Sequence, residues 1–164
     1  MLRYAVLTVA FALAGCGDDP DNVPLRGEWQ LTRTLDSVTV DGMLMSPDQL
    51  PAEFRELETT LKQCGEPLYT DPDWQADDVS ARTGGQCELS DYTHNKRGAQ
   101  LTGTCTLTGG GVTYSPKLSG RSTFDETSTR DVVTMEGSIA LPGDPGPHVL
   151  KLIAVQEGTR LGDC

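Results

Sequence analysis

The chain has 164 residues, a net charge of −11 and 5% aromatic residues. Its length suits one domain. Its acidity excludes a nucleic-acid partner, whose phosphates supply much of the affinity in such complexes, and a purely electrostatic grip on anionic lipid.

Arg3 is the only charge before Asp18, and Tyr4 to Ala14 is almost wholly apolar. A positive start, a short apolar core and a small-residue end describe a secretory signal peptide, too short to span a membrane as a mature helix. Leu13-Ala14-Gly15-Cys16 resembles the bacterial lipobox. That resemblance implies a diacylglyceryl group on the Cys16 sulfur, cleavage before Cys16, and acylation of the new amino group. A thiolate is well suited to thioether formation. The alternative is an ordinary signal peptide cut near Ala12-Leu13-Ala14 with a chance cysteine, but all four lipobox positions fit. Several acyl chains would hold the protein on a bilayer stably, which one would not. Gly17, not Asp, follows the cysteine; by resemblance to enterobacterial sorting rules, this implies the outer membrane.

Residues 1–15 are therefore expected as signal peptide and 16–26 as the lipidated cysteine and a tether. Residues 27–164 are expected as one β-rich domain. Losing Arg3 leaves 12 basic against 24 acidic residues, a mature charge of −12. Gly17 to Arg26 is acidic with two prolines and would reach about 30 Å at full extension.

Glu28 to Leu35 alternates, with Trp29, Leu31 and Leu35 on one face, as a half-buried strand does. Ser37 to Leu44 reads as a second, weaker strand. Ser46-Pro47-Asp48-Gln49 resembles a helix start, and Pro51 begins the main helix afresh. From Pro51 to Gln63 the apolar residues Phe54, Leu57 and Leu61 form one stripe, continued by Cys64 and closed by Gly65. Residues 66–86 are polar and rich in Pro, Asp and Gly, and read as a long loop with at most a helical turn.

The remainder reads as β. Cys87–Tyr92 and Ala99–Thr108 flank the turn HNKRG. In the second strand Ala99, Leu101, Gly103, Cys105 and Leu107 alternate with polar residues, so odd positions face inward. Antiparallel partners share a face, so their numbers must sum to an even value. A sum of 192 sets Cys87 opposite Cys105 and Leu89 opposite Gly103, with a three-residue turn. A sum of 194 would place Gly98 in a left-handed turn position but offset the sulfurs. The thiols favour 192. Val112–Phe124 follows as a strand bent at Pro116, with Tyr114 and Leu118 on one face. Val132–Leu141 carries Val133, Met135, Ile139 and Leu141 inward, and His148–Gln156 is the most apolar strand. The expected fold is mostly β: an antiparallel meander forming a curled sheet or small barrel (lipocalin-like), with one amphipathic helix inserted after the second strand.

Four cysteines besides Cys16 in an exported chain read as two disulfides. A zinc site would show a closely spaced cysteine pair, and none exists. If Cys87 takes Cys105, worth about 3 kcal/mol on the chain-entropy model, Cys64 takes Cys164, worth about 4.7 kcal/mol. A domain with seven aromatic residues, of the nine in the chain, has reason to need both.

The Gly27-Glu28-Trp29 opening, Cys64, the Cys87/Cys105 hairpin, Met135-Glu136-Gly137 and the ending Arg160-Leu161-Gly162-Asp163-Cys164 together resemble one bacterial family. Its members are small exported or lipid-anchored proteins known only as a domain of unknown function. The resemblance covers most of residues 26–164, with Gly162-Asp163-Cys164 its most specific part. It implies an envelope location and paired cysteines, and no activity.

Candidate chemistry is sparse. His94 lies in a hairpin turn and His148 follows a proline, without a nucleophile-elbow motif. Asp71, Asp73, Asp77 and Asp78 lack the glycine-punctuated calcium pattern and read as a solvated acidic loop. Gly109–Gly111 has no helix after it and reads as a turn. Thr102, Thr104, Thr106 and Thr108 read as the solvent face of a strand. No catalytic residue, metal or cofactor is expected. The expected function is a non-enzymatic binding or interaction module, lipid-anchored at Cys16 in the bacterial envelope. Its partner would be an envelope protein or a small apolar ligand. The alternatives are a barrel-type inhibitor of secreted proteases and, further off, a hydrolase requiring histidine and carboxylate in one cleft.

Overall fold

The computed structural model describes residues 19–46, 58–109, 112–141 and 144–164. Cys16 and residues 47–57 lie outside them. The described elements are β1 (Gly27–Val40), β2 (Met43–Leu44), β3 (Thr59–Gly65), α1 (Pro72–Thr83), β4 (Gln86–Asn95), β5 (Gly98–Gly109), β6 (Val112–Tyr114), β7 (Lys117–Phe124), β8 (Ser128–Leu141) and β9 (Asp144–Gly162).

All pairings are antiparallel, in the order β2-β1-β9-β8-β7-β5-β4, with β3 also on β1 and β6 also on β5. The sheet is curled but not closed. Val38 of β1 and Cys87 of β4 come from near opposite edges yet share one core with Leu101, Leu118, Met135 and Leu152. The expectation of a mostly β antiparallel meander is met, and the described residues contain one helix.

Alternation selects the inward faces. In β5 the odd residues Ala99, Leu101, Gly103 and Cys105 are buried, and Thr102, Thr104, Thr106 and Thr108 are exposed. In β8 Thr129, Asp131, Val133 and Met135 are buried. The first expected strand and the start of the second, to Val40, form β1, broken in phase by a register shift between Leu35 and Ser37 against β9, while Met43–Leu44 turn back as β2. The extra residue flips the faces. Trp29 and Leu31 point inward before the shift, and Val38, on an even number, points inward after it.

The β4–β5 hairpin pairs Cys87 with Cys105 and Leu89 with Gly103, as the sum of 192 requires. A second bulge, at Ser90, changes the sum to 193, so Asn95 faces Gly98 across a two-residue turn rather than the expected three. Tyr92 thereby turns toward the core beside odd-numbered neighbours of β5. Gly103 is required here: an added Cβ would lie 2.1 Å from the Glu88 carbonyl oxygen.

Three expectations are corrected. Residues 59–65, expected as the end of a helix, form strand β3 on the edge of β1; the expected helix residues 51–57 lie outside the described part. Leu61 fits both periods, four residues from Leu57 and two from the β-branched Thr59, and pairing with Leu31 decides for the strand. Cys64, expected to continue a helix's apolar stripe, is consequently an exposed strand residue. Second, the expected loop 66–86 contains α1. Asp71 caps it by accepting from the backbone N–H groups of Asp73 (2.9 Å) and Trp74 (3.1 Å), and Pro72 opens its first turn. Third, residues 19–26 do not run free as a tether. Asn22 donates to the Pro67 carbonyl at 3.0 Å and accepts from the Tyr69 N–H at 2.9 Å. Asp19 bonds Thr70, Pro24 is fully buried, and the Leu25 N–H donates to the Glu126 carbonyl.

Candidate functional site

Two disulfides close the structure, Cys87–Cys105 and Cys64–Cys164. The first lies in the core; the second is on the surface. β1 has β3 on one flank and β9 on the other, with Glu28 opposite both Cys64 and Gly162. Gly162, at φ 154°, lets the chain leave β9 and carry Cys164 over to Cys64.

The most unusual feature of the interior is polar. Asp131, on β8, is 5% exposed and lies in phase with Val133 and Met135. Its Oδ1 accepts from the Tyr69 hydroxyl at 2.9 Å. Its Oδ2 lies 3.6 Å from Nη1 of Arg82 and 3.4 Å from the Gln156 amide nitrogen. Arg82 also pairs with Asp78 one helical turn earlier, at 2.7 Å. Gln156 accepts in turn from Nε of Arg33 at 2.7 Å. Two guanidiniums thus face two carboxylates, and the charges balance.

The surroundings hold this network in place. Phe124 stacks on Tyr69 with ring centroids 4.2 Å apart, and the Tyr92 hydroxyl donates to the Tyr69 carbonyl. Gln75 of α1, 2% exposed, donates to the Leu68 carbonyl. Burial, reinforced by Asp131, pushes the Tyr69 hydroxyl far above its ordinary range, so it remains a donor. Burial likewise raises Tyr92 to about 12. A crevice of about 50 Å³ beside the network is lined by Arg33, Arg82, Leu35, Val79 and Met135 among others. Such a space holds about one or two waters, against roughly 300–1,000 Å³ for small-molecule sites. Chemically the arrangement is a lock: Asp131 accepts from Tyr69 and Gln156 and faces the Arg82 guanidinium, and the crevice beside it is too small for a substrate.

Asp78 makes this lock sensitive to pH. Burial raises its carboxyl above the ordinary 3.8; Arg82 opposes, Asp131 adds, and Arg33 opposes. An acid raised on folding contributes stability that is full below its unfolded pKa and lost as pH rises through its folded pKa. Asp78→Asn lacks this titration. The stability difference should therefore shift in favour of the variant as pH rises above the ordinary 3.8, measured by urea unfolding at each pH. A flat difference would show that the Arg82 ion pair cancels the burial.

The residues singled out from the sequence are dispersed. Asp71, Asp73, Asp77 and Asp78 belong to the start and body of α1, not to an acidic loop, and Asp78 is spent on Arg82. Among the described residues no His, Cys, Asp and Glu cluster has a metal-holding arrangement. His94 is exposed beside the β4–β5 turn. His148 lies near the start of β9, its Nδ1 2.8 Å from Asp41. His94 ranks with Ala99, Ser122, Asp131 and Gln156 across the sheet, eight residues along β9 from His148. That separates the histidines by about 26 Å along the strands. Asp41 is held below the usual carboxylate range by hydrogen bonds from His148 and the Val149 N–H.

Two open clefts remain on the surface, each about 390 Å³. One, beside Arg97, Asp125, Arg130 and Glu157, carries both signs of charge. The other, between α1 and β4, carries Asp73, Glu88 and Asp91 and no cation. Met43, Leu44 and Val149 are exposed apolar side chains near the β1–β2 turn, where the Asp41 N–H donates to the Val149 carbonyl. Asp131, Arg82, Tyr69, Gln156 and Arg33 were not singled out from the sequence, although the odd number of Asp131 puts it in phase with the inward face of β8. Comparison with known proteins finds no matching protein family, no similar curated protein and no similar solved structure.

Proposed function

We propose that this is a lipid-anchored protein of the bacterial envelope that works by binding another protein rather than by catalysis. The observation that carries this reading is the filled interior. Core side chains and the Asp131 network leave about 50 Å³ between α1 and the sheet, so an apolar ligand has no chamber there. What the molecule offers is its outside: two open clefts and a small group of exposed apolar side chains. His148 does meet a carboxylate, Asp41, but the pair lies at the surface by the β1–β2 turn and lines neither open cleft, which weighs against a hydrolase. The lipobox at Leu13–Cys16 and the resemblance to exported proteins of unknown function supply the location, and two disulfides accord with an oxidising compartment.

The test is intact mass of the native protein extracted from membranes. The expected product starts at Cys16 with a diacylglyceryl thioether and an acylated amino group, and Cys16→Ser should move to the soluble fraction. An unmodified thiol at position 16 would remove the anchor. A stoichiometric small apolar molecule in the native mass spectrum would replace the protein-binding reading with a carrier.

A further inference from the structure

β4 is the last strand of the described sheet, and among the described residues only one of its flanks is paired with another strand. Its inner flank pairs with β5 from Gln86 to Asn95. On the outer flank the Cys87 N–H donates to Oγ of Ser80 in α1 at 2.9 Å. Beyond that contact, among the described residues, no backbone group of β4 bonds to anything outside the β4–β5 ladder. Natural edge strands are commonly blunted with lysine, proline or a bulge. β4 contains no lysine, arginine or proline, and its one bulge is at Ser90.

Beside this open flank stands α1. The space between them is the acidic cleft, with Ala76 of α1 on one wall and Leu89 on the other. Asp73, Glu88 and Asp91 rim it, and none of the three makes an ion pair among the described residues. From Cys87 to Tyr92 the flank runs about 20 Å, the length of an ordinary strand. A row of unused backbone donors and acceptors, walled by a helix, is the geometry in which an extended peptide adds to a sheet.

We propose that the cleft between α1 and β4 binds an extended segment of a partner protein, which joins the sheet as a strand beyond β4 and carries Lys or Arg at alternate positions. Alternation follows from the pleat: one face of the added strand meets α1 and Leu89, the other meets Glu88 and Asp91. A second copy of this chain is the poorer occupant, because edge-to-edge pairing would set these carboxylates against each other. The inference rests on the protein-binding reading above but not on the lipid anchor.

The probe is a fluorescein-labelled, amidated octapeptide alternating Lys and Val, titrated by anisotropy into the full mature protein in detergent at low salt. Saturable binding is expected. Replacing Lys by Glu should weaken it at least about tenfold, as should Glu88→Lys with Asp91→Lys in the protein. Two N-methylated peptides complete the set, one methylated at the valines and one at the lysines. Only one edge of the peptide faces β4, so one of the two should lose at least about tenfold and the other little. The paired Lys variant should keep the parent's unfolding midpoint, since both side chains are exposed. Absence of binding, equal binding by both methylated peptides and the parent, or unchanged affinity in the variant would each overturn the proposal. Sedimentation showing a dimer that the variant abolishes would also overturn it, in favour of the second copy. A membrane partner whose capture survives the variant would remove the cleft and leave the protein-binding reading standing.

Discussion

Asp131→Ala should destabilise the protein by about 3–5 kcal/mol, the range for breaking a buried ion pair by removing one partner. Asp131 is 5% exposed and Arg82 has 10% of its side chain exposed, so solvent can do little to replace the lost carboxylate. Truncation leaves the Tyr69 hydroxyl without its acceptor and Arg82 with Asp78 alone. It also releases the Gln156 amide, which positions Arg33. Asp131→Asn retains an acceptor for Tyr69 and should lose less. Replacing the pair together, Asp131→Leu with Arg82→Met, should recover much of the loss, because a buried pair exchanged for apolar groups is often neutral. Urea unfolding at neutral pH measures all three. A loss under about 1 kcal/mol for Asp131→Ala would place the network in the class of solvent-screened surface pairs.

The second large effect concerns the surface disulfide. Cys64→Ala with Cys164→Ala should lower stability by up to about 4.7 kcal/mol, the chain-entropy value for a loop of this length. Cys64 and Cys164 are exposed and separated by 100 positions, so their removal opens no cavity. The effect acts through the unfolded chain, which gains freedom when the last strand is no longer tied to β3. The folded state should keep its circular dichroism. The core pair Cys87–Cys105 closes a shorter loop worth about 3 kcal/mol, but its removal also leaves a packing defect beside Val79 and Leu101. Equal unfolding free energies with and without the Cys64–Cys164 bond would show that the unfolded chain is already confined.

The sequence was legible where alternation and chemistry agreed. In β4 and β5 the two thiols fixed which register pairs the strands, and the structure has that register at the cysteines. Local bulges were not legible: Asp36 and Ser90 each break the phase, and neither is a glycine or proline that would flag it. α1 escaped notice because no apolar stripe marks it: its two buried residues are Gln75 and Val79, and the partly buried Asp78 and Arg82 share that side. A hydrophobic stripe is the usual sign of a helix, and this one is held by hydrogen bonds and charge instead. β3 was misread for the complementary reason, since a stripe at helical spacing extended into residues that sheet pairing claims. Asp131 was legible in principle, as a carboxylate in step with Thr129, Val133 and Met135, but its partners come from a loop, a helix and another strand. Their convergence is a property of the fold.

The packed run from Asp19 to Arg26 changes how the protein could stand on a bilayer. Its side chains and backbone are fastened to the domain as far back as Asp19, three positions after Cys16, a reach of about 10 Å even at full extension. With acyl chains on Cys16, the domain would not swing on a long arm. It would sit with its Asp19 and Thr70 end at the lipid headgroups and Met43 and Leu44 at the other end of β1, pointing into the compartment. Were Cys16 acylated, a partner would meet the domain within a narrow range of heights above the bilayer, and inserting residues before Asp19 would trade that closeness for reach.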